Sequence, residues 1–439
     1  MKRREFIRHT SFTAAGLTFL NFPVFGKKAP SNKVVVAVMG VNGRGAYLAE
    51  NFATLPNVEV AYLCDVEEKA IAHGLKPFEK ANRKPIIIKD IRELVMKKDF
   101  DALIIAAPDH WHAPATILGV TNGKHVFVEK PCGHNPYEGE LLVDLMNKYP
   151  KQLIQMGNQR RSFPTIMEGV KEVREGIIGH PYFAKSWYTN NRKSIGIGKK
   201  IPVPLTLDFD LWQGPAPRRD YKDNLVHYNW HWFWHWGTAE TCNNATHELD
   251  CSRWFLGVDF PTKVTSSGGR YAFKDDWETP DTQVAGFEFA DGKAITWEGR
   301  SCNNFPVEGS GRGFIIYGDG GTLVNDGNAD YKIFDEKNKL VKEVKSNVKG
   351  DPTNTVSASG NLDLYHFANF VNAIRGETKI TSPMDEGHKS ILLCHLANIA
   401  QRTGRTLHCN PENGHILNDT EAMKLWKREY EKGWELKPL

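Results

Sequence analysis

The sequence predicts an α/β protein in two parts: an N-terminal doubly wound parallel sheet, then a C-terminal α/β domain with an open, mainly antiparallel sheet. Three observations carry this. Short β-branched runs alternate with helical segments from Lys33 to about residue 160, a glycine-rich turn follows the first run, and strands of alternating polarity recur after residue 180.

Taken in order, KVVVAVM (33 to 39) is the first strand and GAYLAENFA (45 to 53) the first helix. VEVAYLCD, PIIIKD, DALIIAAPD, KHVFVEKP and KQLIQMGNQ then give five more strands before residue 160, with helices from about His112 and Pro136 between them. Six parallel strands match a Rossmann dinucleotide-binding domain, placed over 33–157. The remainder, 158–439, is read as a substrate-binding α/β domain whose last helices can pack back on the first. HPYFAKSWYTN, PTKVTSSGGRYAF, TQVAGFEFA, AITWEGRSC and GFIIYG are its strands, and alternation within several of them predicts one buried and one exposed face. A long loop rich in proline and tryptophan follows the first of these, and a helix over Thr241 to Leu256 comes next.

Bulk properties narrow the function classes. At 439 residues the chain exceeds what one core usually organises. With 41% hydrophobic and 25% charged residues it is an ordinary soluble composition, which argues against a disordered, collagenous or membrane-bundle chain. A net charge of +4 without any long basic run lacks the footprint of a nucleic-acid binder and suits a small neutral or mildly polar ligand. Twelve Trp and thirteen Tyr supply flat amphipathic rings of the kind that grip sugars, although core filling uses them equally.

The N-terminus, 1–32, reads as a twin-arginine export signal and linker. Lys2, Arg3 and Arg4 precede an apolar stretch from Ser11 to Phe22 that is diluted by Thr13, Thr18 and Asn21. That stretch is shorter than the about 20 residues needed to span a bilayer, so a periplasmic protein without stable membrane insertion is expected. The alternative is a basic N-terminus on a cytoplasmic enzyme. Seven cysteines, an odd set without C-x-x-C spacing, indicate neither a disulfide framework nor a zinc ribbon.

The turn after the first strand, Gly40-Val41-Asn42-Gly43-Arg44-Gly45, departs from G-x-G-x-x-G, yet its glycines allow the tight curl and close approach that a pyrophosphate needs at a helix N-terminus. Asp65 lies twenty residues beyond Gly45, at the end of the second strand. A carboxylate there accepts from a ribose 2′-hydroxyl and repels a 2′-phosphate, which favours NAD over NADP. It can also serve as an N-cap to the helix that follows, and the two roles are compatible.

AAPDHWHAP (106 to 114), VEKP (128 to 131) and MGNQRR (156 to 161) resemble successive strand ends of the Gfo/Idh/MocA family of oxidoreductases, over nearly the whole chain after its signal. The resemblance implies an NAD-dependent enzyme acting on CH-OH groups of carbohydrates, with Lys130 as the catalytic lysine beside the nicotinamide and Glu129 its neighbour. It adds Pro108, His110 and His112 to the cofactor site, and Gln159 and Arg160 to the substrate site. A partly desolvated ammonium has its pKa pushed down and can help deprotonate a hydroxyl or steady an alkoxide. A surface lysine before a turn proline is the plain alternative.

The loop ends in His227-Tyr228-Asn229-Trp230-His231-Trp232-Phe233-Trp234-His235-Trp236. Tyr228, Trp230, His231 and His235 are read as a substrate wall. Core packing and a metal site from His231, His235 and His247 are the alternatives, and no metal is expected because no carboxylate is placed with them. Family dehydrogenases carry Asp-x-x-x-His on the next helix, the histidine being the general base. Here the segment runs Asn243-Asn244-Ala245-Thr246-His247, so His247 carries over while Asn243 cannot hold charge, and its carboxylate is lost or comes from elsewhere.

The expected function is hydride transfer between NAD and a secondary hydroxyl or keto group of a sugar, with a tightly held, recycled cofactor. NAD-assisted glycoside cleavage through a 3-keto intermediate is a second reading, disfavoured because glycosidase members of the family carry another motif in place of VEKP. A non-catalytic sugar-binding or sensing protein is a third, and the presence of Lys130 argues against it. A homo-oligomer is expected, since the open sheet face in this family often forms the subunit interface.

Overall fold

The parallel sheet forms because each of its strands is a short β-branched run that can be buried on both faces, with glycine or polar residues at its end. In the computed structural model, residues 32–80, 84–346 and 360–438 are described, so the proposed signal over 1–32 lies outside them apart from Asn32. The elements run β1 (Val34–Met39), α1 (Arg44–Thr54), β2 (Val58–Cys64), α2 (Glu68–Leu75), β3 (Ile86–Ile88), α3 (Ile91–Leu94) and β4 (Ala102–Ile105). They continue with α4 (Asp109–Thr121), β5 (His125–Val128), α5 (Pro136–Lys148) and β6 (Ile154–Met156). The sheet order β3-β2-β1-β4-β5-β6 reverses between β1 and β4, which opens a crevice at the carboxyl ends of those strands.

After α6 (Pro164–Arg174) the chain enters the second sheet through β7 (Pro181–Thr189). A long connection containing α7 (Phe209–Gln213) leads to a π-helical turn over Thr241–Ala245 that continues as α8 (Thr246–Leu256). The sheet is completed by β8 (Lys263–Gly269), β9 (Thr282–Glu288), β10 (Ala294–Arg300) and β11 (Arg312–Gly318). Beyond the predicted strands it gains β12 (Gly321–Asn325), β13 (Tyr331–Asp335) and β14 (Leu340–Val344). Two helices, α9 (Gly360–Ile374) and α10 (Met384–Thr403), precede the short edge strand β15 (Leu407–His408). The nine-stranded order is β14-β13-β12-β11-β7-β10-β9-β8-β15. All its pairings are antiparallel except β7 with β10. Trp297, Phe287 and Phe314 pack one face against Leu249 and Phe255 of α8.

The C-terminal helices return to the first sheet. Phe367, Phe370 and Val371 of α9 complete the core around Phe52 and Phe127, with Phe52 and Phe367 stacked at 4.7 Å. Val34–Leu439 accordingly forms one compact unit. All seven cysteines are free thiols, and only Cys302 is partly exposed. Among the described residues no helix is long and apolar enough to cross a membrane.

His366 sits at the joint made by α9. Its Nε2 donates to the Met156 carbonyl at 2.8 Å, and its Nδ1 lies 2.6 Å from Ser162 Oγ, so the neutral tautomer satisfies both contacts. Burial holds its pKa down at about 4, against 6.5 for an ordinary histidine. Between those values the unfolded chain binds a proton that the folded chain refuses, so this group's contribution to stability falls as pH drops from 6.5 towards 4. Urea denaturation of His366→Gln should therefore show a pH dependence in that window flatter than wild type by up to about 1.4 kcal/mol per pH unit. Parallel curves would show that His366 is protonated in the folded protein.

Candidate active site

The crevice begins at the glycine turn. Gly40 has φ +80°, and a Cβ there would lie 2.6 Å from the Ala107 nitrogen; one on Gly45 would lie 1.7 Å from the Gly40 carbonyl oxygen. Gly45 is thus needed for packing of the turn and does not itself line the cleft, whereas Gly40, Asn42, Gly43 and Arg44 do. Gly43 caps α1 without a side-chain bond, which leaves first-turn N–H groups for an anion. Asp65 lines the same cleft and organises it: Oδ2 accepts from the Val41 N–H at 2.7 Å and Oδ1 from the Glu67 N–H at 3.0 Å. Burial pushes its pKa up and these N–H donors oppose the rise. The turn and the carboxylate together form a cradle that fits a dinucleotide.

Arg44 has a different job from simple phosphate contact. Its Nε donates to Glu129 Oε1 at 2.8 Å, and its two terminal nitrogens grip Asp363 of α9 at 2.9 and 2.8 Å. Burial disfavours the Glu129 charge, but Arg44 and Lys130 outweigh it and hold the carboxyl below its ordinary value. At the end of β4, Pro108 caps α4 and lines the cleft with Asp109 and His112. His112 places Nδ1 2.5 Å from the Pro131 carbonyl and Nε2 2.7 Å from the Ala107 carbonyl, which ties the β4 end to the β5 end.

Lys130 follows directly. Burial lowers its pKa, Glu129 and Asp109 oppose the fall, and Nζ donates to Asn243 Oδ1 at 3.0 Å. Across the cleft, the π-helical turn and α8 present Asn243, Asn244 and His247. His247 has no hydrogen-bond partner among the described residues, and burial together with Arg312 and Lys130 holds its pKa far below an ordinary histidine's. It is neutral at pH 7. Gln159 lines the cleft with its Oε1 buried and unpaired in the protein.

The aromatic loop divides. Tyr228, Trp230 and His231 line the cleft, with Trp230 stacked on His231 at 3.6 Å. His231 Nδ1 donates to the Tyr228 carbonyl at 2.6 Å, leaving Nε2 as the ring's acceptor. Phe233 and Trp236 instead enter a local core with Leu207, Phe209, Trp212 and Tyr221. The substrate-wall reading does not extend to His235, whose Nε2 donates to the Pro217 carbonyl at 2.7 Å outside the cleft. His110 also lies outside; it is fully buried and donates through Nε2 to the Trp212 carbonyl at 3.0 Å. Arg160 is likewise structural, bound to Glu248 Oε1 at 2.7 Å and the Gly327 carbonyl at 2.5 Å. Among the described residues no His, Cys, Asp and Glu side chains converge as a metal site.

Several cleft residues had no strong sequence signal. Arg312 arrives only because β11 pairs it with Tyr188, and it donates to Glu248 through Nε at 2.9 Å. Lys89, Asp90 and Ile91 follow β3, where the rule that ligands lie beyond strand ends could have found them. Leu211, Trp212 and His227 come from the long loop. This loop docks beside Asp65: the Glu68 N–H donates to the Thr206 carbonyl at 2.9 Å, the Asp208 N–H to the Val66 carbonyl at 3.0 Å, and His227 contacts Glu67.

Residues 34–157 match an oxidoreductase family's NAD-binding Rossmann fold, and residues 202–408 match the C-terminal alpha/beta domain of the same family. The chain belongs to the Gfo/Idh/MocA oxidoreductase family. Among curated relatives, a glycosyl hydrolase family 109 protein of Shewanella sp. (strain ANA-3) is 30% identical over 209 residues, 42% of this chain and 45% of that protein. The match therefore spans less than half the length of that relative. Among solved structures, a levoglucosan dehydrogenase in complex with NADH and levoglucosan superposes with TM-score 0.65 at 16% identity, covering 86% of this chain and 99% of that one. The scyllo-inositol dehydrogenase of Lactobacillus casei, solved with NAD(H) and scyllo-inositol, gives 0.62 at 18% identity, with coverages of 86% and 99%. At these identities the superpositions show the shared fold.

Because Asp65 both braces the turn and carries charge, Asp65→Asn separates the two effects. It keeps an acceptor for the Val41 N–H and removes the repulsion of a 2′-phosphate. Titration of the two cofactors should show the preference for NAD over NADP narrowing by about tenfold, equivalent to about 1.4 kcal/mol. An unchanged ratio would take Asp65 out of cofactor selection.

Proposed function

We propose that this family member transfers hydride between NAD and a secondary hydroxyl or keto group of a sugar or sugar derivative. The observation that carries the reading is the meeting of Lys130, from the end of β5, and His247, from α8, in the cleft that the glycine turn and Asp65 open. NAD, when bound, supplies the hydride acceptor. Gly40, Asn42 and Gly43 would receive its pyrophosphate, and Asp65 its ribose. Neutral His247 is the base for the hydroxyl proton, and Lys130, fixed by Asn243, steadies the oxygen as it gains negative charge. Trp230, Tyr228 and His231 offer faces and acceptors suited to a sugar ring. That the fold neighbours include a levoglucosan dehydrogenase and a scyllo-inositol dehydrogenase supports this substrate class.

A second reading is favoured by one finding. The curated relative carries a glycosyl hydrolase name despite the VEKP element of this chain, so transient oxidation that assists glycoside cleavage stays in view. Both readings use the same cofactor, in this chain both would call on Lys130 and His247, and both profit from a cofactor that is not released.

Native mass spectrometry of the purified full chain should show one NAD per subunit, and should report the homo-oligomer we expect. Turnover is to be measured on a panel of inositols, aldoses, anhydro sugars and chromogenic aryl glycosides. Lys130→Ala and His247→Ala should each lower kcat by about a hundredfold or more with NAD still bound, the double variant being little worse than the worse single one. Near-normal turnover in both single variants would end the assignment. Release of the aryl group, blocked by the same substitutions, would select glycoside cleavage.

We further infer export through the twin-arginine route. Replacing Arg3 and Arg4 with Lys should leave a folded, NAD-loaded protein in the cytoplasm, as cell fractionation would reveal. Undiminished recovery from the periplasm would refute it.

A further inference from the structure

Behind Lys130 lies a negative charge that hydride transfer as described above does not use. Because Lys130 Nζ donates to Asn243 Oδ1 at 3.0 Å, the amide is oriented, and its Nδ2 donates away from the lysine to Glu240 Oε1 at 3.2 Å. The same carboxylate accepts from Asn244 Nδ2 and, at 2.6 and 3.2 Å, from Arg192 Nε and Nη2. Arg192 continues to the Tyr228 hydroxyl at 2.8 Å, on the cleft wall. Glu240 is buried at 3% exposure and does not line the cleft, so it reaches Lys130 through Asn243 rather than by direct contact. Burial works against its charge, but Arg192 and the hydrogen bond from Asn244 outweigh this and hold its pKa below the ordinary value. It is ionised.

The local backbone makes the arrangement. Glu240 immediately precedes the π-helical turn Thr241–Ala245, and residues three and four further along a helical turn face the same side, which brings Asn243 and Asn244 to one carboxylate.

We infer that Glu240 is a positioning residue for Lys130: its charge, relayed by the Asn243 amide, holds the lysine at the cleft while no carboxylate from this turn touches the ammonium directly. A carboxylate in contact with an ammonium locks it in the protonated form. An amide in that place orients Lys130 by hydrogen bonding and leaves it free to give up its proton. Glu240 thereby supplies, one link removed, the charge that the Asp-x-x-x-His pattern would put at position 243. The other charged or titratable groups around Lys130 are Glu129 and Asp109, which favour its charge, and Arg44 and Arg312, which disfavour it; His231 and His247 face it across the cleft.

The inference rests on Lys130 being the lysine that contacts the reacting oxygen in the proposed reaction, but its test needs no substrate. Competitive labelling of the NAD-bearing full chain with acetic anhydride over a pH series, read at the Lys130 peptide by mass spectrometry, gives the titration midpoint of that one amine. Asn243→Asp should raise the midpoint by about one to three pH units, and Glu240→Gln should lower it. The charge-relocating double variant Glu240→Gln/Asn243→Asp should return it to or above the wild-type value. Where a sugar is turned over, kcat should fall about tenfold or more in Glu240→Gln. Should Glu240→Gln leave Arg192 unpaired and the protein unfolded, Glu240→Gln/Arg192→Met removes the ion pair as a unit, and the same lowered midpoint is expected. A midpoint unmoved by any of these variants would overturn the inference even if Lys130→Ala abolishes turnover. A midpoint that moves as stated upholds it even if no sugar on the panel reacts, an outcome that counts against hydride transfer alone.

Discussion

The Arg44 guanidinium is where the molecule's separate parts are made to agree. It starts the helix that follows the glycine turn, bonds the carboxylate beside Lys130, and grips Asp363 on a helix more than three hundred residues later in the chain. A buried guanidinium with two carboxylates is expensive to desolvate and more expensive to leave half-paired. The geometry of the turn, the end of β5 and the seat of α9 are therefore coupled: a shift in any one strands a charge in the others. The aromatic contacts of Phe52, Phe127, Phe367 and Phe370 add non-directional burial to this directional joint.

A second joint holds the facing wall. Glu248 accepts from both Arg160 and Arg312, which links the segment after β6, α8 and the start of β11. His247 stands next to that cluster and among cations. This environment keeps the imidazole neutral and its ring nitrogens available, whereas the cluster's own side chains are occupied with one another. The distinction between cleft residues that touch a ligand and those that hold them is drawn by hydrogen bonding, and residue type alone does not reveal it.

Which of the two a residue becomes depends on partners distant in the chain. Elements whose signal is local were legible: the six parallel strands, the glycine turn, Asp65, Lys130 after a strand end and His247 on a helix. β12, β13 and β14 were not, because they are short hairpin extensions separated by Gly and Asn-Asp segments that look like loop. His110, Arg160 and His235 have the chemistry of site residues, yet backbone carbonyls or a buried carboxylate consume it. Tyr228, Trp230 and His231 reach the cleft while Phe233 and Trp236, of equal aromatic character and a few positions on, build a core. Glu240 was invisible for the opposite reason: its importance comes from two asparagines and an arginine arranged around it, and one of these, Asn243, stands where the family pattern has aspartate.

The docking of Thr206 to Asp208 against Val66 to Glu68 has a kinetic consequence. The contact is an antiparallel backbone pairing laid beside Asp65. If that pairing lies across the exit of a bound dinucleotide, the ligand's residence time would be set by a local unfolding equilibrium as well as by the quality of its own contacts. Between openings the protein would carry whichever oxidation state its last substrate left behind. Such a molecule would have a one-bit memory, written by one encounter and erased by the next, and the stiffness of a surface loop would decide how long the bit is kept.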